Sequence, residues 1–230
     1  MLDILLAKFK RLFEEYKASD TCKNVECAKK KWHDKTNMWG KELAKNGISA
    51  NMISIFGFVV GMMAINFLAM NMYFEALVCI IVNRCCDIMD GAVARNEGVS
   101  KFGTFLDTCL DFVFYGGVIF GFALADPYEN AVAASFWLFG FAASVIALLA
   151  YGVVSNMTNL KKDIALDGVP FYLGGVAQGV ETLVAIVLLC LMPFAFLPVA
   201  IALGCWCLMK TLIVVSSAYY KLVILQKSKK

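Results

Sequence analysis

Charge is what this chain has least of. Asp, Glu, Lys and Arg make up only 17% of its 230 residues, against 60% hydrophobic. That imbalance excludes an ordinary water-soluble domain, in which about a quarter of the residues are charged. Histidine is nearly absent as well, His33 being the only one. With Cys22 and Cys27 it forms a C-x4-C-x5-H spacing, but no fourth ligand is evident and the spacing is not a recognised zinc arrangement. Plain surface residues are the simpler reading. The N-terminal residues also lack a signal peptide: Lys8, Lys10, Arg11, Glu14 and Glu15 interrupt the apolar part, and no small-residue cleavage site follows. The first fifty residues are therefore expected to stay on the mature protein.

What the chain has instead is apolar runs. From Met52 onward, stretches of roughly 20 residues recur, each long enough as a helix to cross a hydrocarbon core of about 30 Å. Six are expected, at 52–70, 73–95, 103–125, 131–154, 171–192 and 197–220, which makes the chain an all-α, polytopic membrane protein. Residues 1–18 place Leu2, Ile4, Leu5, Phe9, Leu12, Phe13 and Tyr16 largely on one helical face, opposite lysines, Arg11 and glutamates. That pattern reads as an amphipathic interfacial helix, or equally as a soluble helix packed on a partner or on the bundle's own cytoplasmic end. The organisation is then 1–48, an amphipathic helix and basic segment; 49–222, a six-helix transmembrane catalytic domain; and 223–230, a basic tail.

Basic residues gather before the first span, at Lys101, at Lys161 and Lys162, and in the tail, whereas the turns near 71, 125–130 and 192–197 hold no Lys or Arg. The positive-inside rule then puts both termini and the loops 96–102 and 157–170 in the cytoplasm. The net charge of +3 forms a basic collar suited to anionic lipid head groups rather than to nucleic acid. Seven of the nine cysteines (Cys79, Cys85, Cys86, Cys109, Cys190, Cys205, Cys207) fall in or beside the spans as small packing residues. Cys22 and Cys27 would face a reducing compartment, so no disulfide framework is implied. Gly57 with Gly61, and Gly117 with Gly121, form small-x3-small pairs that permit close helix approach, within a compact bundle or a homodimer.

Against this background four aspartates stand out. Asp87, Asp90, Gly91 and Ala94 recur at three- and four-residue steps and share one helical face, with Arg95 at the helix end; Gly103, Asp107 and Asp111 step by four and share another. A short loop over 96–102 turns the second span back into the third, so the two acidic faces meet just below the cytoplasmic surface. Ionised carboxylates at that depth repel one another and lose solvation unless cations are present. Oxygen-only ligation favours Mg²⁺, Mn²⁺ or Ca²⁺, and four carboxylates can hold two ions about 4 Å apart, the arrangement used in phosphoryl displacement. Such ions would bind a pyrophosphate. Gly91 and Ala94 leave room for a nucleotide-like body near the backbone, and Arg95 can pair with phosphate oxygens.

The pattern Asp87-x2-Asp90-Gly91-x2-Ala94-Arg95-x7-Gly103-x3-Asp107-x3-Asp111 resembles, at every fixed position, the signature of the CDP-alcohol phosphotransferases, membrane enzymes that build phospholipid head groups. The run from Ile48 to Ser54 is similar to that family's Pro-Asn-x2-Thr lead into the first span, with Ala50 in place of the proline and Ser54 in place of the threonine. Phe171, Tyr172, Gly174, Gly175 and Glu181 further resemble a branch of small bacterial inner-membrane members, which implies an inner-membrane protein with its active site facing the cytoplasm. The resemblance implies transfer of a substituted phosphate from CDP-diacylglycerol, or another CDP-alcohol, to a small alcohol with release of CMP, supported by two divalent cations, Mg²⁺ or Mn²⁺. It assigns Asp87, Asp90, Asp107 and Asp111 to metal, Asp111 also to the role of general base, and Gly91, Ala94, Arg95 and Gly103 to the CDP site, with Asn51 beside them.

The acceptor is less legible. Between Asp111 and the tail the only Lys or Arg residues are Lys161, Lys162 and Lys210. Lys161 and Lys162 suit a topological role; Lys210, in mid-span, is a candidate functional cation. Gln178 and Glu181, near the end of the fifth span, could face the site, where an acidic group would suit a polyol or amine-bearing alcohol; alternatively Glu181 pairs with Lys210. Rival readings are a CDP-choline or CDP-ethanolamine transferase acting on diacylglycerol, a Mg²⁺-dependent intramembrane prenyltransferase, and a cation transporter.

Overall fold

The computed structural model describes residues 36–98, 100–157 and 176–219, with side chains omitted for 155–157 and 176–178. The interfacial helix expected over 1–18, the Cys22, Cys27 and His33 group, Lys161, Lys162, the side chain of Gln178 and the basic tail lie outside the described residues. Within them all regular structure is helical: α1 over 36–45, α2 (Ala50–Ala69), α3 (Tyr73–Glu97), α4 (Lys101–Ala125), α5 (Pro127–Met157), α6 (Val176–Leu191), a 3₁₀ turn (Pro193–Ala195) and α7 (Phe196–Tyr219). Each expected span overlaps one of the helices α2 to α7.

Local chemistry sets where these helices stop and start. Helix α2 ends on Asn71, held at φ 60°, where the Asn71 N–H donates to Leu68 O and the Met72 N–H to Phe67 O, both at 2.9 Å. This is the Schellman closure, in which asparagine can replace glycine because it tolerates a left-handed backbone. Gly98, at φ 99°, ends α3 in the simpler form, its N–H donating to Ala94 O at 3.0 Å. The next helix starts three residues later, behind the cap Ser100, whose Oγ accepts the Gly103 N–H at 2.8 Å, the N-cap bond to the third residue of α4. Asp126 caps α5 in the same way through the Glu129 N–H at 3.2 Å, with Pro127 in the first helical position, where its missing donor costs nothing.

Four described segments are long and apolar enough to cross a membrane: Ala50–Ala69, Lys101–Ala125, Pro127–Val154 and Pro193–Tyr219. Helix α3 departs from that class because it carries Glu75, Arg84, Asp87, Asp90, Arg95 and Glu97. Among the described residues, α6 contributes a shorter apolar segment, Gly179–Leu191. Large apolar side chains stand exposed on the long helices, among them Phe56, Phe120, Phe139 and Leu212, as they would on a surface facing lipid.

The chain forms two compact units. One comprises residues up to Val59 with Val82–Leu110; the other comprises Val60–Ile81 and the residues from Asp111 onward. In the second unit, small residues set how closely helices pack. A Cβ on Gly117 would lie 2.6 Å from Ile65 Cδ1, and one on Gly140 would lie 2.7 Å from Gly204 O, which brings α4 against α2 and α5 against α7. Phe122 stacks on Phe196 with ring centroids 5.1 Å apart, and Trp137 lies 6.3 Å from Phe196. In the first unit a Cβ on Gly57 would fall 2.5 Å from Cys86 Cβ, which seats α2 directly on the face of α3 one turn before Asp90. Gly57, Gly117 and Gly121 of the glycine pairs read from sequence thus serve packing within the chain.

Candidate active site

Two short contacts bring the ends of α2, α3 and α4 together in the first unit. Seating α2 on α3 at Gly57 lets Asn83 Nδ2 donate to Gly57 O at 2.9 Å, and it aims the Ser54 hydroxyl at Asp90 Oδ2, to which it donates. On α4, a Cβ at Gly103 would meet Ser100 Oγ at 2.8 Å and Asn51 Oδ1 at 3.1 Å. Only glycine lets the capped start of α4 approach the start of α2 without displacing the cap.

The carboxylates then converge. Asp87, Asp90 and Asp107 each offer an oxygen, and the three lie within 4.8 Å of one another. Asp90 is buried, at 6% exposure, Asp87 is half-buried and Asp107 is exposed. Three hard oxygen donors at this separation, each carrying charge that repels the others, fit a hard divalent cation such as Mg²⁺ or Mn²⁺. Asp111 lies one turn further along α4 and is not in that group.

Beside the carboxylates opens a cleft of about 310 Å³. Asn51 and Ser54 of α2 line it, with Asp90, Gly91, Ala94 and Arg95 of α3 and Gly103, Thr104 and Asp107 of α4. Every residue that the sequence placed at a CDP site therefore borders one cavity. A Cβ at Gly91 would stand 3.4 Å from Arg95 Nη1, so the bare backbone there leaves the guanidinium free to lie back along α3 over the cleft.

Of the other sequence candidates, Glu181 and Lys210 belong to the second unit and are paired with each other. Lys210, at 3% exposure, donates from Nζ to Glu181 Oε2, and Trp206 Nε1 donates to the same oxygen at 2.7 Å. The Trp206 ring also stands 5.5 Å from Lys210 Nζ.

Sequence reasoning missed two groups at the carboxylate cluster. Arg84 Nη1 lies 3.5 Å from Asp87 Oδ2, and the guanidinium is held by Asn83 Oδ1, which accepts from Nε at 2.9 Å and Nη2 at 2.6 Å. An arginine within an expected span was the available signal. Ser54 had appeared only as a substitute for a threonine. Its hydroxyl orients Asp90, and groups that orient metal ligands typically govern affinity by about 10- to 100-fold. Ser54→Ala is expected to weaken Mn²⁺ binding to the purified protein roughly tenfold in calorimetry, whereas Ser54→Thr, which keeps the hydroxyl, should bind as wild type does.

Residues 47–215 match the CDP-alcohol phosphatidyltransferase family. Inner membrane protein YnjF of Escherichia coli (strain K12) is 39% identical over 185 residues, covering 80% of this chain and 90% of that protein. Archaetidylinositol phosphate synthase of Pyrococcus horikoshii is 39% identical over 87 residues, covering 37% of this chain and 46% of that protein. No solved structure matches.

Proposed function

The chain belongs to the CDP-alcohol phosphatidyltransferase family, and from that premise we propose that it transfers a phosphatidyl group from CDP-diacylglycerol to a small alcohol, releasing CMP. It is an integral membrane enzyme of phospholipid head-group transfer. The observation that carries a CDP-linked donor is the convergence of Asp87, Asp90 and Asp107 within 4.8 Å, beside a cleft bordered by Gly91, Ala94, Arg95 and Gly103.

Asp87, Asp90, Asp107 and Asp111 would hold two divalent ions, Mg²⁺ or Mn²⁺, which when bound neutralise the diphosphate and the departing CMP. The remaining chemistry belongs to the chain. Gly91, Ala94 and Gly103 keep the cleft open to the nucleotide, and Asn51 adds a polar edge. Arg95 presents guanidinium N–H groups to the phosphate oxygens. Asp111 accepts the proton of the acceptor hydroxyl as its oxygen bonds to the phosphatidyl phosphorus and the bond to the CMP oxygen breaks. Six spans with both termini cytoplasmic would put this cleft where a soluble alcohol and a membrane-held nucleotide meet. A homodimer gains no support from Gly57, Gly117 and Gly121, whose contacts are internal.

For the acceptor, the engagement of Glu181 Oε2 by both Lys210 and Trp206 favours a structural tie between α6 and α7 over a role in binding alcohol. Breaking a fully buried ion pair costs about 3–5 kcal/mol. Glu181 retains some exposure, so Lys210→Met should destabilise the protein by roughly 1–3 kcal/mol in thermal unfolding while leaving the acceptor KM within about twofold. A panel of serine, glycerol 3-phosphate, inositol and inositol phosphate with CDP-diacylglycerol, read by mass spectrometry of the lipid product, tests the function. A new phosphatidyl lipid with one of them supports it, and the absence of any CDP-dependent lipid product across acceptors counts against it.

A further inference from the structure

Arg95 has five N–H donors, and one is already committed. Its Nε donates to Asn37 Oδ1 at 3.0 Å, across 58 residues of sequence. Asn37 is on α1, and two more contacts press that helix onto α3 at the same place. Asn37 O accepts from Asn96 Nδ2 at 3.4 Å. Gly40, one turn further along α1, sits so close that an added Cβ would be 2.6 Å from the carbonyl carbon of Ala92 and 2.7 Å from its oxygen. Ala92 is one turn before Arg95, so α1 runs over the last turns of α3 with Asn37 facing the arginine.

We infer that Asn37 is a positioning residue for Arg95: α1 carries it to the guanidinium, fixes Nε and leaves the Nη edge directed at an anionic group in the cleft. This rests on the function proposed above, in which that group is a phosphate of a cytidine nucleotide. Arginine is a long side chain at a helix end, with much rotamer entropy to lose on capture of a ligand. Anchoring one nitrogen in advance reduces that loss, since each rotamer-rich side chain immobilised on binding costs about 0.5–1.5 kcal/mol. The chemistry of the anchor matters too. A carboxylate at this position would hold the guanidinium as an ion pair and compete with phosphate, whereas a neutral amide oxygen accepts one hydrogen bond and leaves the positive charge uncompensated.

The test uses the full chain, purified in detergent, with CMP and Mn²⁺ as the calorimetric probe and with steady-state kinetics on CDP-diacylglycerol. Asn37→Ala is expected to raise the CMP Kd and the donor KM roughly 3- to 10-fold, with kcat and the acceptor KM within about twofold. The same substitution made on Arg95→Ala should add no further loss of CMP affinity, because its effect passes through the arginine. A general disturbance of the fold would instead add its cost in both backgrounds. If wild type binds CMP and Asn37→Ala binds it equally well, or costs as much with Arg95 removed as with it present, the positioning role is overturned while the function stands. Failure of wild type to bind CMP would overturn the proposed function, and this inference with it.

Discussion

Asp111→Asn is expected to abolish turnover while leaving CMP binding close to that of wild type. The substitution keeps the shape of the side chain and removes its basicity, so it cannot take the proton of the attacking hydroxyl. A positioned proton acceptor is typically worth about 10² to 10⁴ in rate, and the loss should fall on kcat. The proposal divides the labour among the four aspartates. Asp87, Asp90 and Asp107 form the close oxygen group, while Asp111 follows Asp107 by one turn on α4. An aspartate one turn along the same helix can assist at the cation site and still reach the acceptor. Single-turnover kinetics with CDP-diacylglycerol, set beside calorimetry with CMP, separates the two effects. Wild-type turnover in the purified variant would remove Asp111 from the role of base.

The second large effect is expected at Asp107. Asp107→Asn replaces a charged ligand by a neutral amide in a group whose other members, among the described residues, are Asp87 and Asp90. Among those three, Asp107 alone comes from α4, so its loss leaves both remaining carboxylates on a single helix. Mn²⁺ binding should fall by about two orders of magnitude, toward the upper end of what even indirect disturbance of a metal site can cost. Activity should fall with it and should not be restored by raising Mn²⁺ into the low millimolar range. Excess chelator should reproduce the same inactive state in wild type, reversibly. Unchanged Mn²⁺ affinity in the variant would mean that the cation, if one is used, sits elsewhere.

These effects concern the most readable part of the sequence, and the reason is periodicity. Asp87, Asp90, Gly91 and Ala94 share a face because a helix turns once every 3.6 residues, and that spacing is visible without coordinates. The hydropathic runs likewise located α2, α4 and α7 to within about two residues, and α5 to within about four. Local pattern could not supply pairs between helices. Ser54 and Asp90 are 36 residues apart, Lys210 and Glu181 are 29 apart, and Gly140 meets Gly204 on another helix. Each depends on how two helices lie against each other, which no single window of sequence encodes. Arg84 was overlooked for a related reason. Inside an apolar run it reads as an interruption, and its partners, Asn83 and Asp87, become apparent only once α2 fixes Asn83 through the Gly57 carbonyl.

The most direct measurement is CMP release by the purified protein in proteoliposomes, with CDP-diacylglycerol and an alcohol acceptor, with and without Mn²⁺ or Mg²⁺. The expected result is release that requires the CDP-lipid, the acceptor and the divalent ion together, and that disappears in Asp111→Asn. Release indifferent to the divalent ion, or no release with any CDP-linked donor, would contradict the assignment of the aspartate cluster as the centre of phosphatidyl transfer.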